Sequence, residues 1–266
     1  PREGEHCIRT EDILFAIEQN ADELALVLMG GVNYYSGQVF EMDTITKAAH
    51  GVGALAGFDL AHAIGNIKLE LHKWNLDFAD WCSYKYLNSG PGSVAGVFIH
   101  KNHLDKKDIP RFNGWWGCNK ESRFKMGKEF IPMPTAEAWQ LSNAPVLSMA
   151  AHKAALAIFD EAGMDNLVIK SEKLTSYLEY IIEDINYQLS IINYPLSIIT
   201  PKNTSERGCQ LSIIAHGMGK DLHDKLREQG VVSDWREPNV IRVAPVPLGG
   251  VEEVAREGQA FESTAL

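Results

Sequence analysis

Long apolar runs are missing. No stretch of the 266 residues approaches the roughly 18 consecutive apolar positions that a membrane-spanning helix needs, so no membrane partner is expected. Clusters of Lys and Arg are missing too. The chain has 25 Lys plus Arg against 35 Asp plus Glu, a net charge of −10, and an acidic chain without a basic patch is a poor match for nucleic acid or an anionic lipid surface. Cysteine is scarce. Cys7, Cys82, Cys118 and Cys209 lie far apart, with no C-x-x-C pair. Neither a zinc site nor a disulfide framework is expected, and a reduced, cytosolic compartment fits best. The opening PREGEHCIRTEDI has neither the basic start nor the apolar centre of a secretory signal. Internal repeats and low-complexity tracts are absent. What is present is an ordinary globular balance, 45% hydrophobic and 23% charged, in a length that suits one large or two modest domains.

The pattern of apolar residues predicts two kinds of architecture in succession. Thr10 before EDILFAIEQN reads as an N-cap ahead of an amphipathic helix. Residues 23–31, 54–59, 77–85 and 93–100 read as strands, with a helix at 43–52 among them. Strands alternating with helices predict an α/β domain with a largely parallel sheet. Near Pro145 the pattern changes. Apolar residues from Leu147 to Ala162, and again from Leu174 to Ile185, recur at helical spacing. Short strands at 196–200 and 209–216, a helix at 220–230 and strands VVSD and VIRVAP then predict a small α+β domain. The expected division is residues 1–143 and 144–266.

Asp59 falls at the expected carboxyl end of a strand, the edge where ligands bind in open α/β sheets. Lys85 follows 26 residues later, at the end of another apolar run, between Tyr84 and Tyr86 and before the turn NSGPG. An acid and a lysine at neighbouring strand ends suit pyridoxal 5'-phosphate: the amine forms a Schiff base and the carboxylate pairs with the pyridinium nitrogen. The plainer readings are a turn-forming Asp and a surface Lys. Gly90-Pro91-Gly92-Ser93-Val94-Ala95 matches G-x-G-x-x-A, but the β-rich VAGVFIH follows where a dinucleotide site needs a helix. His62 and His72 lack the H-E-x-x-H pattern, so no metal site is expected. Arg242, inside the apolar NVIRVAPVP, needs an anionic partner. A substrate carboxylate and a structural salt bridge are both open.

Taken together, GFDLAHAIGN (57–66), DFADWCSYKYLNSGPG (77–92), GWWG (114–117), ESRFKM (121–126) and RVAPVPL (242–248) resemble kynureninase. GVNYYSGQVF (31–40) and ERGCQLSI (206–213) resemble that family too. The blocks run in order from about Ile13 to Leu248. The resemblance implies the aspartate-aminotransferase-like fold (fold type I), with this chain as the carboxyl-terminal part of the large cofactor-binding domain plus the small domain. It implies pyridoxal 5'-phosphate, a homodimer with shared sites, and hydrolysis of L-kynurenine or 3-hydroxy-L-kynurenine to an anthranilate and L-alanine, in tryptophan catabolism on the branch to NAD biosynthesis. It makes Lys85 the Schiff-base lysine and proton-transfer base, Asp59 the partner of the pyridinium nitrogen and His62 a neighbour of the cofactor. Tyr84 becomes a phosphate ligand and an aid to proton transfer. Trp115 and Asn143 match cofactor-site positions, for this subunit or its neighbour, and Asn143 also reaches toward the substrate's aryl end. Arg242 matches the arginine that grips the substrate α-carboxylate.

Family members are longer at the amino-terminal side, where the phosphate-gripping loop and the aromatic that stacks on the cofactor lie. Without that part an open sheet edge and apolar face, and poor folding, are expected. Cys118 stands where a histidine is usual, and residues 249–266 do not match the family's aromatic-containing terminal helix. The alternatives are another fold type I enzyme, such as a cysteine desulfurase or aminotransferase relative, or an inactive fragment that serves only in dimerisation.

Overall fold

The computed structural model describes residues 1–106, 109–189 and 196–265. Its first half is built on one sheet. Strands β1 (Leu26–Gly30), β2 (Leu55–Asp59) and β3 (Phe78–Cys82) run parallel, and β4 (Ala95–Ile99) pairs antiparallel with β3. Helices α1 (Thr10–Gln19) and α2 (Met42–Gly51) help cover one face. There Ile45, Ala49, Ala56, Phe58, Leu60 and Ala79 form a buried core. The parallel sheet agrees with the sequence pattern, and β4 after Gly90–Ala95 agrees with rejecting a dinucleotide loop. Thr10 is not the N-cap. Arg9 holds that position, because the Thr10 hydroxyl donates across to Glu41 at 2.9 Å.

The opposite face is open. Leu26, Leu28, Leu55 and Val97 are all exposed, and alternation along paired strands puts them on one side. The outer edge of β1 has no partner strand among the described residues. Exposure of this apolar face matches expectation.

At the amino ends of the strands a buried carboxylate ties four segments together. Asp77 accepts the Ala56 backbone N–H at 2.7 Å, His50 Nε2 at 2.8 Å and His103 Nε2 at 2.6 Å. Burial alone would raise its pKa, but these three donors hold it below the usual carboxylate range.

Helices α3 (Val146–Ala162) and α4 (Met164–Leu189) lead to a second sheet. It has the order β5 (Leu196–Ile198), β6 (Leu211–Ala215), β8 (Val240–Val243), β7 (Asp234–Arg236), every pair antiparallel. Strand β7 begins at Asp234 rather than at Val231. Val231 closes the end of α5 (Lys220–Glu228) instead, its N–H bonded to the Leu226 carbonyl at 3.0 Å. Leu178, Ile182, Leu211, Ile213, Leu222 and Phe261 centre the core here.

The carboxyl-terminal tail departs from expectation. It forms α6 (Val251–Ala265), with Val254 and Phe261 buried in the core against α4. Val254, Gly258 and Phe261 share one helical face, and Gly258 lets that face approach Ile181, whose Cδ1 would lie 2.7 Å from an added Cβ. Leu266 lies outside the described residues.

The two halves are joined along a polar seam. Val39 N donates to Glu206 O at 2.8 Å, Ser212 Oγ to Tyr35 O at 2.6 Å and Cys209 N to Asn66 Oδ1 at 2.9 Å. On the second-half side of this seam the buried Arg207 is held by Glu179 at 2.8 Å. Gly208 allows the close approach, because a Cβ there would lie 2.4 Å from the Asn66 amide. Gly208→Ala is therefore expected to cost about 1–3 kcal/mol through overpacking, read as a lower thermal midpoint.

Glu257 on α6 gives a pH-dependent outcome. Burial, then the charge of Glu253, pushes its carboxyl up to about 7, and its Oε2 is buried without a hydrogen-bond partner among the described residues. A carboxyl raised in the folded chain favours folding below its ordinary 4.5, and that advantage is lost as pH rises through about 7. Glu257→Gln is expected to stabilise the protein at pH 8 by on the order of 1 kcal/mol, with less effect at pH 5. Paired thermal melts check this.

Candidate active site

Strand β2 delivers Asp59 to the carboxyl edge of the first sheet. Its Oδ1 accepts the Ala61 N–H at 2.8 Å, which shapes the turn that carries His62. This is the turn-forming role of the plainer reading, and it leaves Oδ2 for another donor. Asp80 is its register partner on β3. Burial, then the charge of Asp59, raises the Asp80 pKa.

The segment after β3 carries Lys85. Its loop is fixed by Ser89 N on Ser83 O at 3.1 Å and Asn88 N on Lys85 O at 3.0 Å. Lys85 Nζ lies 3.2 Å from His62 Nε2. The His62 ring sits against Tyr86, 5.9 Å between centroids, and Tyr34, 6.4 Å. Burial pushes the Tyr86 phenol above its ordinary range. Burial, followed by the positive charges of Lys85 and Arg242, lowers the His62 pKa from 6.5 to about 4. The imidazole is therefore neutral near pH 7, and its Nε2 faces the Lys85 amino group. His62 Nδ1 is buried and has no partner among the described residues.

Gly30, Asn33, Tyr34, Asp59, His62, Lys85 and Arg236 are among the residues lining one cavity of about 410 Å³. The second sheet reaches this cavity through β7 and β8. Arg242 Nη1 donates to the Tyr34 carbonyl, and its Nη2 pairs with Asp234, the residue opposite it in register. The structural salt bridge considered for Arg242 thus exists, at the rim of the cavity.

The structure brings Asp59, His62 and Lys85 together and places Arg242 beside them. Three other candidates lie elsewhere. Tyr84 is half exposed and off the cavity wall, with Lys85 Nζ 6.0 Å from its ring centroid. Trp115 packs on Trp116 and Phe124, and Asn143 is exposed just ahead of α3. Arg236 and Asp80 were not singled out by the sequence. Each enters through strand register, and neither carries a local motif.

The fold is shared with solved structures. An apo cysteine desulfurase from Thermococcus onnurineus NA1 superposes with a TM-score of 0.78 at 16% identity, covering 98% of this chain and 64% of that one. An alanine–glyoxylate aminotransferase from Nostoc sp. gives 0.73 at 18% identity, covering 97% and 65%. The chain has the α/β fold of these structures, the fold type I architecture. In sequence it is 58% identical to the kynureninases of Christiangramia forsetii and of Flavobacterium psychrophilum over all 266 residues. It is 50% identical to that of Myxococcus xanthus over 248 residues, 93% of this chain and 57% of that one. The model of the kynureninase C-terminal domain matches residues 167–259, which takes in most of α6. Over its whole length the chain is similar to these kynureninases. It spans 62% of the length of the first two relatives.

The neutral state of His62 is directly measurable. Its imidazole is expected to titrate near pH 4 by NMR, well below an exposed histidine. Because the unfolded chain protonates this side chain near 6.5 and the folded one only near 4, His62 costs stability as pH falls through that window. His62→Gln is expected to reduce the loss of stability between pH 7 and pH 4.

Proposed function

We propose that the chain carries the lysine-bearing part of a pyridoxal 5'-phosphate enzyme that hydrolyses the Cβ–Cγ bond of L-kynurenine or 3-hydroxy-L-kynurenine. One water is consumed, and anthranilate or 3-hydroxyanthranilate and L-alanine are released. The observation that carries this reading is the Lys85–His62 contact in a cavity lined also by Asp59 and Arg236, with Arg242 bonded to the lining residue Tyr34, in a chain 58% identical to kynureninases.

The residues present fit the cofactor. Asp59 offers a carboxylate, Lys85 a primary amine, and His62 a buried ring nitrogen without a partner among the described residues, all in one cavity. When bound, pyridoxal phosphate supplies an aldehyde for reversible attachment of amines and an electron-withdrawing ring that absorbs carbanion charge. In this reading Asp59 holds the ring nitrogen in its protonated form. Lys85 Nζ, once freed by the substrate amine, takes the proton from the substrate α-carbon. Neutral His62 accepts a hydrogen bond from that Nζ without adding a further positive charge beside it. Arg242 holds the substrate α-carboxylate, which a guanidinium can grip bidentately.

Tyr84 serves the cofactor phosphate in this reading. The positions of Trp115 and Asn143, away from the Lys85 cavity, favour a role in a neighbouring subunit's site, and hence a homodimer. The four cysteines are free, in keeping with a reducing, cytosolic setting. No described helix is long and apolar enough to cross a membrane.

The test is borohydride reduction after addition of pyridoxal phosphate, with the labelled lysine located by mass spectrometry. Lys85 is expected to carry the label, and Lys85→Ala to lose it together with conversion of kynurenine to fluorescent anthranilate, by at least about 1000-fold. Labelling scattered over surface lysines would overturn the assignment. Release of sulfide or a keto acid without anthranilate would point to a desulfurase or aminotransferase relative instead.

A further inference from the structure

The cavity has one feature that the roles above leave unused. Asp234 serves two arginines at once, and both reach it through the same oxygen. Arg242 Nη2 pairs with Oδ2, and Arg236 Nη2 lies 3.0 Å from it. The arrangement follows from register. Asp234 faces Arg242 across the β7–β8 ladder, and Arg236 lies two residues along β7, on the same side of the strand. The Arg242 side chain is 11% exposed, whereas Asp234 and Arg236 are 45% and 44% exposed. Arg242 is therefore the enclosed member, and Asp234 and Arg236 are open to solvent. Arg242 Nε is buried without a partner among the described residues. Arg236 lines the cavity that holds Asp59, His62 and Lys85. The charges of both arginines are felt at His62.

We propose that Asp234 is a resident carboxylate that pairs with Arg242 and is handed to Arg236 when the substrate's α-carboxylate arrives. The inference rests on the proposed reading of Arg242 as the carboxylate-binding residue. It extends that reading by assigning Asp234 as an internal competitor and Arg236 as its alternative partner. Two guanidiniums sharing one carboxylate have an unfilled need for negative charge, which an α-amino-acid carboxylate meets. With Arg236 available, Asp234 releases Arg242 without becoming an unpaired charge, and such exchange between charge-assisted bonds costs far less than breaking one. The device also shields a buried guanidinium from being left without an anion between turnovers.

The sign of one substitution separates this latch from simple support. If Asp234 only positions Arg242, Asp234→Asn weakens binding of a carboxylate. If it competes, the same change strengthens it. The probe is propionate, which has the carboxylate of alanine but no amine, so its binding requires no reaction at Lys85. Titration calorimetry on the protein is expected to show Asp234→Asn binding propionate about tenfold more tightly, on the order of one charge-assisted hydrogen bond. Arg236→Gln is expected to bind it about tenfold more weakly, because Asp234 then has only Arg242. In the Asp234→Asn background the Arg236 change is expected to have little effect, since the competitor is already neutral. Asp234→Ser serves as a second variant, and circular dichroism melts establish that each variant is folded.

Unchanged or weaker binding in both Asp234 variants overturns the proposal, as does equal binding by Arg236→Gln and the parent. So does the absence of propionate binding in every protein. Failure of Lys85 to take the borohydride label counts against the proposed enzyme reading instead, and the two results are separable because propionate does not depend on that lysine's chemistry.

Discussion

The hydrogen bonds between residues 33–39 and 206–212 hold the two sheets in one arrangement, and the candidate site exists only in that arrangement. Lys85, His62 and Asp59 come from the first sheet, whereas Arg236 and Arg242 come from the second. The seam works through backbone groups as well as side chains. Ser212 Oγ is held by the Tyr35 carbonyl and Gln210 Nε2 by the Tyr34 carbonyl, while the Tyr34 carbonyl also receives Arg242. A single turn thus both joins the halves and seats the guanidinium. Gly208 belongs to the same constraint, since only a residue without a side chain lets the segment lie against Asn66.

Electrostatics at the cavity follow from this crowding of cations. Lys85, Arg236 and Arg242 together depress His62 on top of the effect of burial. The imidazole then remains neutral beside the Lys85 amino group, 3.2 Å away. Asp59 works in the opposite direction on His62 and lifts the pKa of Asp80. The cavity is therefore an anion-seeking place with one carboxylate at its sheet edge, a charge pattern that matches an anionic substrate and a cofactor with a cationic ring nitrogen.

Much of this was legible in the chain. The switch from alternating strands and helices to a helix pair and short strands identified two architectures, because burial on both faces and burial on one face leave different apolar periods. Asp59 and Lys85 stood out because strand ends at one sheet edge converge. The α6 helix was missed, since Val254, Gly258 and Phe261 make a thin apolar stripe that has meaning only against α4. Thr10 was assigned a cap that a contact with Glu41, distant in sequence, takes away.

By itself, the sequence determined the order and type of the elements as far as β8, the family resemblance and which chemical groups stand at the strand ends. These depend on local periodicity and residue identity, which need no partner to be read. Only the tertiary structure decided that Asp234 opposes Arg242, that Arg236 reaches the Lys85 cavity, that burial and neighbouring cations lower the His62 pKa, and that Trp115 and Asn143 lie away from that cavity. Each depends on strand register, burial or the meeting of segments some 20 to 200 residues apart, and no local pattern encodes those.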